Sequence, residues 1–112
     1  MDKKDMNIFE PMGGGGRIEF TNMDDVIEYG IERGILVDDS MTLSDKIKLI
    51  GVILTTLLFD LKAGYIDNSI MTTGVDIILK YVNSIPNNSI EIINAKNEVR
   101  AINNIMYAIM PS

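Results

Sequence analysis

The segment TLSDKIKLIGVILTTLLFDLKAG, residues 42–64, restricts the possible folds more than any other part of the chain. It is too long for a strand and contains no proline. It opens on Thr42 with Asp45 three residues later, the arrangement in which a hydroxyl caps a helix N-terminus, and it closes on Gly64, which adopts the left-handed conformation that ends helices. The spacing predicts a helix starting at Thr42 or Ser44 and running to Ala63. Ile47, Leu49, Ile50, Val52, Ile53, Leu54, Leu57, Leu58, Phe59 and Leu61 lie nearly all the way round it, so it is expected to be buried on most sides, with Leu54 and Leu57 in the core. A helix of this kind has to be wrapped by others. Its longest apolar run, Leu49 to Phe59, is about half of the ~20 residues that span a bilayer, which argues for a core helix and against a membrane anchor.

The wrapping elements are legible on both sides. Thr21 or Asn22 can cap a first helix, Met23 to Arg33, whose first turn holds Asp24 and Asp25, where the helix dipole favours carboxylates. Val26, Ile27, Tyr29 and Ile31 supply its apolar side, and Gly34 stops it. Residues 69–84 read as a third helix, capped by Asn68 or Ser69 and ended before Pro86. Asn88, with Glu91 three residues on, opens a fourth that Pro111 ends, and Ile92, Val99, Ile102, Met106 and Ile109 form its packing seam. The expected fold is all-α: a small antiparallel bundle of about four helices over residues 21–112, preceded by an extended Gly-rich N-terminal arm over residues 1–20. The apolar surface of the second and fourth helices exceeds what four short helices can hide, which predicts a homo-oligomer.

Several classes of function are disfavoured by what the chain lacks. Its 112 residues include no cysteine and no histidine, which removes thiolate nucleophiles, Ser-His-Asp chemistry and zinc sites together. No catalytic residue, metal ligand or cofactor is assigned, and the chain is expected not to be an enzyme. The net charge of −6 makes it a poor partner for nucleic acid, since duplex affinity rests on neutralising phosphates with Lys and Arg. Residues 1–56 carry 11 acidic against 6 basic side chains, whereas residues 57–112 carry 5 against 4. The start, MDKKDMNIFEP, has charges but no apolar run behind them, so no secretory signal is read and the expected location is cytoplasmic. Abundant Ile and Asn with no Trp match an AT-rich genome, as in a low-GC bacterium or its phages.

Two features bear on what the protein binds. PMGGGGRIEF, residues 11–20, fits neither a Walker loop nor a dinucleotide fingerprint, because Arg17 and Ile18 stand where the closing lysine or glycine belongs. Successive glycines can still turn their N–H groups into one concavity. The leading expectation is therefore a small binding protein, a phage-encoded regulator or inhibitor, that sequesters a phosphate-bearing, nucleotide-like ligand at an oligomer interface. Gly13, Gly14, Gly15 and Gly16 would be the donors, Arg17 the charge, and Phe9 and Phe20 the stacking faces. The second feature is Asp24, Glu28 and Glu32, which share one helix face and suggest an acidic inhibitor that docks a basic enzyme surface. A third reading makes the N-terminal segment, with Ile8 and Phe9, an assembly arm that drives oligomerisation. Met106 reads as gap-filling core.

Overall fold

The computed structural model describes residues 18–109 and is all-helical over them. Its elements are α1 (Met23–Glu32), α2 (Leu43–Ala63), α3 (Asn68–Ser84) and α4 (Ile90–Ile109). Residues 18–20 enter without regular structure, and no strand occurs among the described residues.

Local chemistry accounts for the helix ends. Asn22 caps α1, its Oδ1 accepting from the Asp25 N–H at 3.0 Å, and the Asp25 carboxylate reaches back to the Thr21 N–H at 2.8 Å. Thr42 caps α2 by accepting from the Asp45 N–H at 3.1 Å. At α3 the cap is Asp67, whose Oδ1 accepts from the Ile70 N–H at 2.9 Å, and not Asn68 or Ser69. Asp67 is still extended after the turn, whereas Asn68 is already helical, so Asp67 is the residue placed to meet the free N–H groups. At α4 the acceptor is Ser89, to the Ile92 N–H at 3.2 Å. Asn88 lies one residue too early, in a turn where its N–H donates to the Pro86 carbonyl at 3.0 Å.

α1 and α2 terminate in the same way. Gly34 and Gly64 take φ values of 90° and 84°. In each case the glycine N–H donates three residues back, to Ile31 or Leu61, and the next N–H donates five back, to Gly30 or Asp60. This Schellman pattern satisfies carbonyls that the helix end leaves free.

α2 and α3 each touch the three other helices, α2 with the most extensive seam, along α4, whereas α1 and α4 do not touch among the described residues. Leu57 of α2 and Gly74 of α3 lie against one another at equal distances from the Gly64–Asp67 link, so α3 folds back along α2. Ile47, Ile53, Leu54 and Leu57 have no solvent exposure, as expected for the core. The burial of α2 nevertheless covers only one half of its circumference. Val52 and Phe59 are exposed, because all three neighbours gather on the opposite face, and the expectation of burial on most sides is corrected to that extent.

Three glycines sit where helices approach most closely. A Cβ on Gly30 would lie 2.7 Å from Ile53 Cδ1, one on Gly51 2.9 Å from Ile102 Cδ1, and one on Gly74 3.0 Å from the Phe20 ring. They let α1 and α4 approach α2 and let Phe20 lie on α3. The seams also differ from expectation at their margins. Ile31 of α1 and Ile109 of α4 face solvent. The buried line of α4 runs Ile92, Lys96, Val99, Asn103, Met106, an alternation of four and three that admits two polar residues. No described helix is long and apolar enough to cross a membrane.

Candidate functional site

Ionisable side chains converge where α1 and α2 end. Tyr29 and Arg33 lie one turn apart at the end of α1, Asp60 stands in the last turn of α2, and Tyr65 follows the Gly64 terminator. A carboxylate near a helix C-terminus is disfavoured by the dipole, and here two groups offset that cost. Arg33 Nη2 lies 3.0 Å from Asp60 Oδ2, and the buried Tyr29 hydroxyl donates to the same oxygen. The guanidinium also faces both tyrosine rings, 5.5 Å from the Tyr29 centroid and 5.7 Å from that of Tyr65. Burial first, and then the Asp60 acceptor, push the Tyr29 hydroxyl well above its ordinary pKa, so it stays a protonated donor. These groups satisfy one another and tie α1 to α2. In the sequence Tyr29 reads only as part of the apolar face and Asp60 carries no role, because partners 31 residues apart leave no local spacing signal.

A second polar anchor is equally silent in the sequence. Lys96 is 3% exposed, and its ammonium donates to the Ile85 carbonyl at 2.7 Å and to Asn87 Oδ1 at 2.8 Å. Both acceptors are neutral, and no carboxylate pairs with Lys96 among the described residues. The contacts hold the α3–α4 link against α4.

Of the residues assigned to ligand binding, Phe9, Gly13, Gly14, Gly15, Gly16 and Arg17 lie outside the described residues. Phe20 lies within them and is a core residue. Its ring sits edge-on to Tyr29 with centroids 5.4 Å apart and rests against Gly74, so most of it is buried. Where the chain enters at Ile18 there is a groove of about 190 Å³, lined by Ile18, Glu19, Phe20, Asp67, Ile70 and Thr73. Its two carboxylates make it a negative surface, unsuited to phosphate. The Asp67 carboxylate and the Thr73 hydroxyl are in addition already bonded within α3.

The acidic stripe is where the periodicity placed it. Asp24, Glu28 and Glu32 are all exposed on the outward side of α1, with exposed Ile31 among them, and none is in an ion pair among the described residues. Two other acids of this half of the chain have internal work. Asp25 accepts from the Thr21 hydroxyl at 2.6 Å, a bond that holds its carboxyl below the usual range, and Asp38 is held low by accepting from the Ser40 N–H at 2.9 Å. The outward face of α1 is thus a row of exposed carboxylates, unpaired among the described residues, with one isoleucine at its flank. Compared with family models, with curated proteins and with solved structures, the chain matches none.

Proposed function

We propose that the protein is a non-catalytic binding protein, a regulator or inhibitor that docks a basic protein surface through the outward face of α1. The observation that carries this reading is the contrast among the acids. Asp25, Asp38 and Asp60 are engaged by caps, turns and the Arg33 pair, whereas Asp24, Glu28 and Glu32 are exposed and unpaired among the described residues. Such a row steers a basic partner over a Debye length and sets orientation, while exposed Ile31 supplies an apolar contact at its flank. The groove at Ile18 carries Glu19 and Asp67 and so lends no support to anion capture, and Gly13–Gly16 and Arg17 lie outside the described residues. The protein-binding reading is therefore preferred.

A photo-crosslinker that replaced Asp24, Glu28 or Glu32 would remove part of the stripe, so the test uses Ile27, half-buried at its edge, as the crosslinking position in host cells. The expected product is a basic protein whose yield falls at least tenfold in Glu28→Lys/Glu32→Lys and falls as salt rises. Crosslinks indifferent to charge reversal and to salt would refute the reading.

A further inference from the structure

The flank of α4 that faces the end of α3 carries two cations held by neutral oxygens alone. Lys96 and Arg100 stand one turn apart there. Besides the Ile85 carbonyl, Lys96 donates to Asn87 Oδ1 at 2.8 Å, while Arg100 donates through Nη2 to Asn83 Oδ1 at 2.8 Å and through Nη1 to Asn97 Oδ1 at 3.2 Å. The ion pairs among the described residues are those of Arg33 and Lys80, so neither cation has a described carboxylate within reach. The acids of α4, Glu91 and Glu98, lie roughly 160–180° round the helix from Arg100. Asp76, on the same side of α3 as Asn83, is bound to Lys80 at 3.1 Å. Each of the three asparagines turns its oxygen to a cation and so turns its NH2 away, and none of these NH2 groups donates to a described acceptor.

Asn103 continues this row, one turn beyond Arg100. It is 8% exposed, and its side chain makes no hydrogen bond among the described residues. A desolvated amide without a protein partner is costly and is satisfied by water or by a ligand oxygen. The flank therefore presents positive charge and unused N–H donors, with no described carboxylate paired to either cation. We propose that it is a binding site for a phosphate group. Arg100 grips the phosphate oxygens, the NH2 groups of Asn83 and Asn97 surround them, Asn103 closes the inner end, and buried Lys96 adds charge from behind. Phosphate is favoured over carboxylate because these donors outnumber what two oxygens accept and because a dianion gains more from two cations. The ligand is inorganic phosphate or the phosphate ester of a small molecule, which present the same chemistry. A net charge of −6 opposes a polyanion such as nucleic acid, whereas a small ion held beside two cations is screened from distant acids. The site is separate from the α1 face and does not rest on the reading of that face.

Titration of the full, nitrogen-15-labelled chain with inorganic phosphate and with phenyl phosphate at constant ionic strength, followed by proton–nitrogen NMR correlation, provides the test. Saturating shifts are expected at the Arg100 Nε–H and at the side-chain NH2 groups of Asn83, Asn97 and Asn103. Equal affinity for the two probes assigns free phosphate, and tighter binding of phenyl phosphate assigns an ester. Arg100→Gln is expected to weaken binding at least tenfold with an unchanged helical circular-dichroism spectrum, and Arg100→Lys to recover part of the loss, since an ammonium keeps the charge without the fork. Asn103→Leu is expected to weaken binding severalfold while raising the thermal midpoint, because it removes a buried amide without a protein partner. Shifts that grow linearly without saturation, an Arg100→Gln variant that binds as wild type does, or an Asn103 amide that stays still while phosphate saturates elsewhere would each overturn the inference. An Asn103→Leu variant that is more stable but binds phosphate undiminished would show that a water alone serves Asn103, and would overturn its place in the site.

Discussion

Replacing Asp60 tests whether the junction of α1 and α2 is held as the geometry implies. In Asp60→Ala the buried Tyr29 hydroxyl loses its acceptor, and a desolvated, unpaired hydroxyl costs about 1–3 kcal/mol. Arg33 loses its ion pair as well. Its side chain is 32% exposed against 10% for Asp60, so water rescues the guanidinium and that loss is expected at ~1 kcal/mol or less. The two together predict a destabilisation of about 1–4 kcal/mol. Asp60→Asn separates them. The amide oxygen can still accept from Tyr29 while the charge is gone, so the expected loss is about 1 kcal/mol. Urea titration followed by circular dichroism at 222 nm measures both, and the midpoint shift is converted with a common slope. Equal destabilisation by the two variants, or a cost below ~1 kcal/mol for Asp60→Ala, would show that Tyr29 does not depend on this acceptor.

Because burial and Asp60 raise the Tyr29 pKa above its unfolded value near ~10, the folded chain holds that proton more tightly. Its contribution to stability is full below pH ~10 and is lost as pH rises through the folded pKa, so wild type should lose stability with rising alkalinity while Tyr29→Phe shows a shallower slope in urea midpoints. Leu57→Ala removes a side chain with no solvent exposure and is expected to cost about 2–5 kcal/mol by the same titration, with a loss under ~1 kcal/mol counting against α2 as the core helix. Gly30→Ala and Gly51→Ala should diverge. A Cβ at 30 meets both Cγ1 and Cδ1 of Ile53 below 3 Å, so strain of about 1–3 kcal/mol outweighs the ~1 kcal/mol gained in helix propensity. At 51 the only such contact is the tip of Ile102, which can rotate, so Gly51→Ala should be near neutral in thermal unfolding; a Gly30→Ala variant more stable than Gly51→Ala would contradict this account.

The parts of this fold that are legible in the sequence are those written in local spacing. The four helices, the Thr42 cap, the Gly34 and Gly64 terminators and the acidic row of α1 all depend on residues a few positions apart. What escapes depends on partners distant in the chain. Asp60 becomes meaningful only once Arg33 and Tyr29 are beside it, and Gly30, Gly51 and Gly74 carry no signal until neighbouring side chains close on them. Lys96 breaks the hydrophobic pattern of α4 because its charged end reaches Ile85 and Asn87, oxygens that only the folded link presents. Phe20 reads as a ligand contact because it follows the glycine tract, and its packing on Tyr29 and Gly74 of two different helices leaves no local signal.

The absence of contact between α1 and α4 among the described residues has an evolutionary consequence. Substitutions on the outward sides of two elements that do not touch combine nearly additively, so selection can act on one without reopening the other. The outward side of α1 can drift toward a new partner while α4 keeps its seam on α2, and surface changes on α4 leave the carboxylate row undisturbed. The bundle therefore offers two ends that can be tuned on separate histories, joined by a middle, α2 and α3, that tolerates far less change.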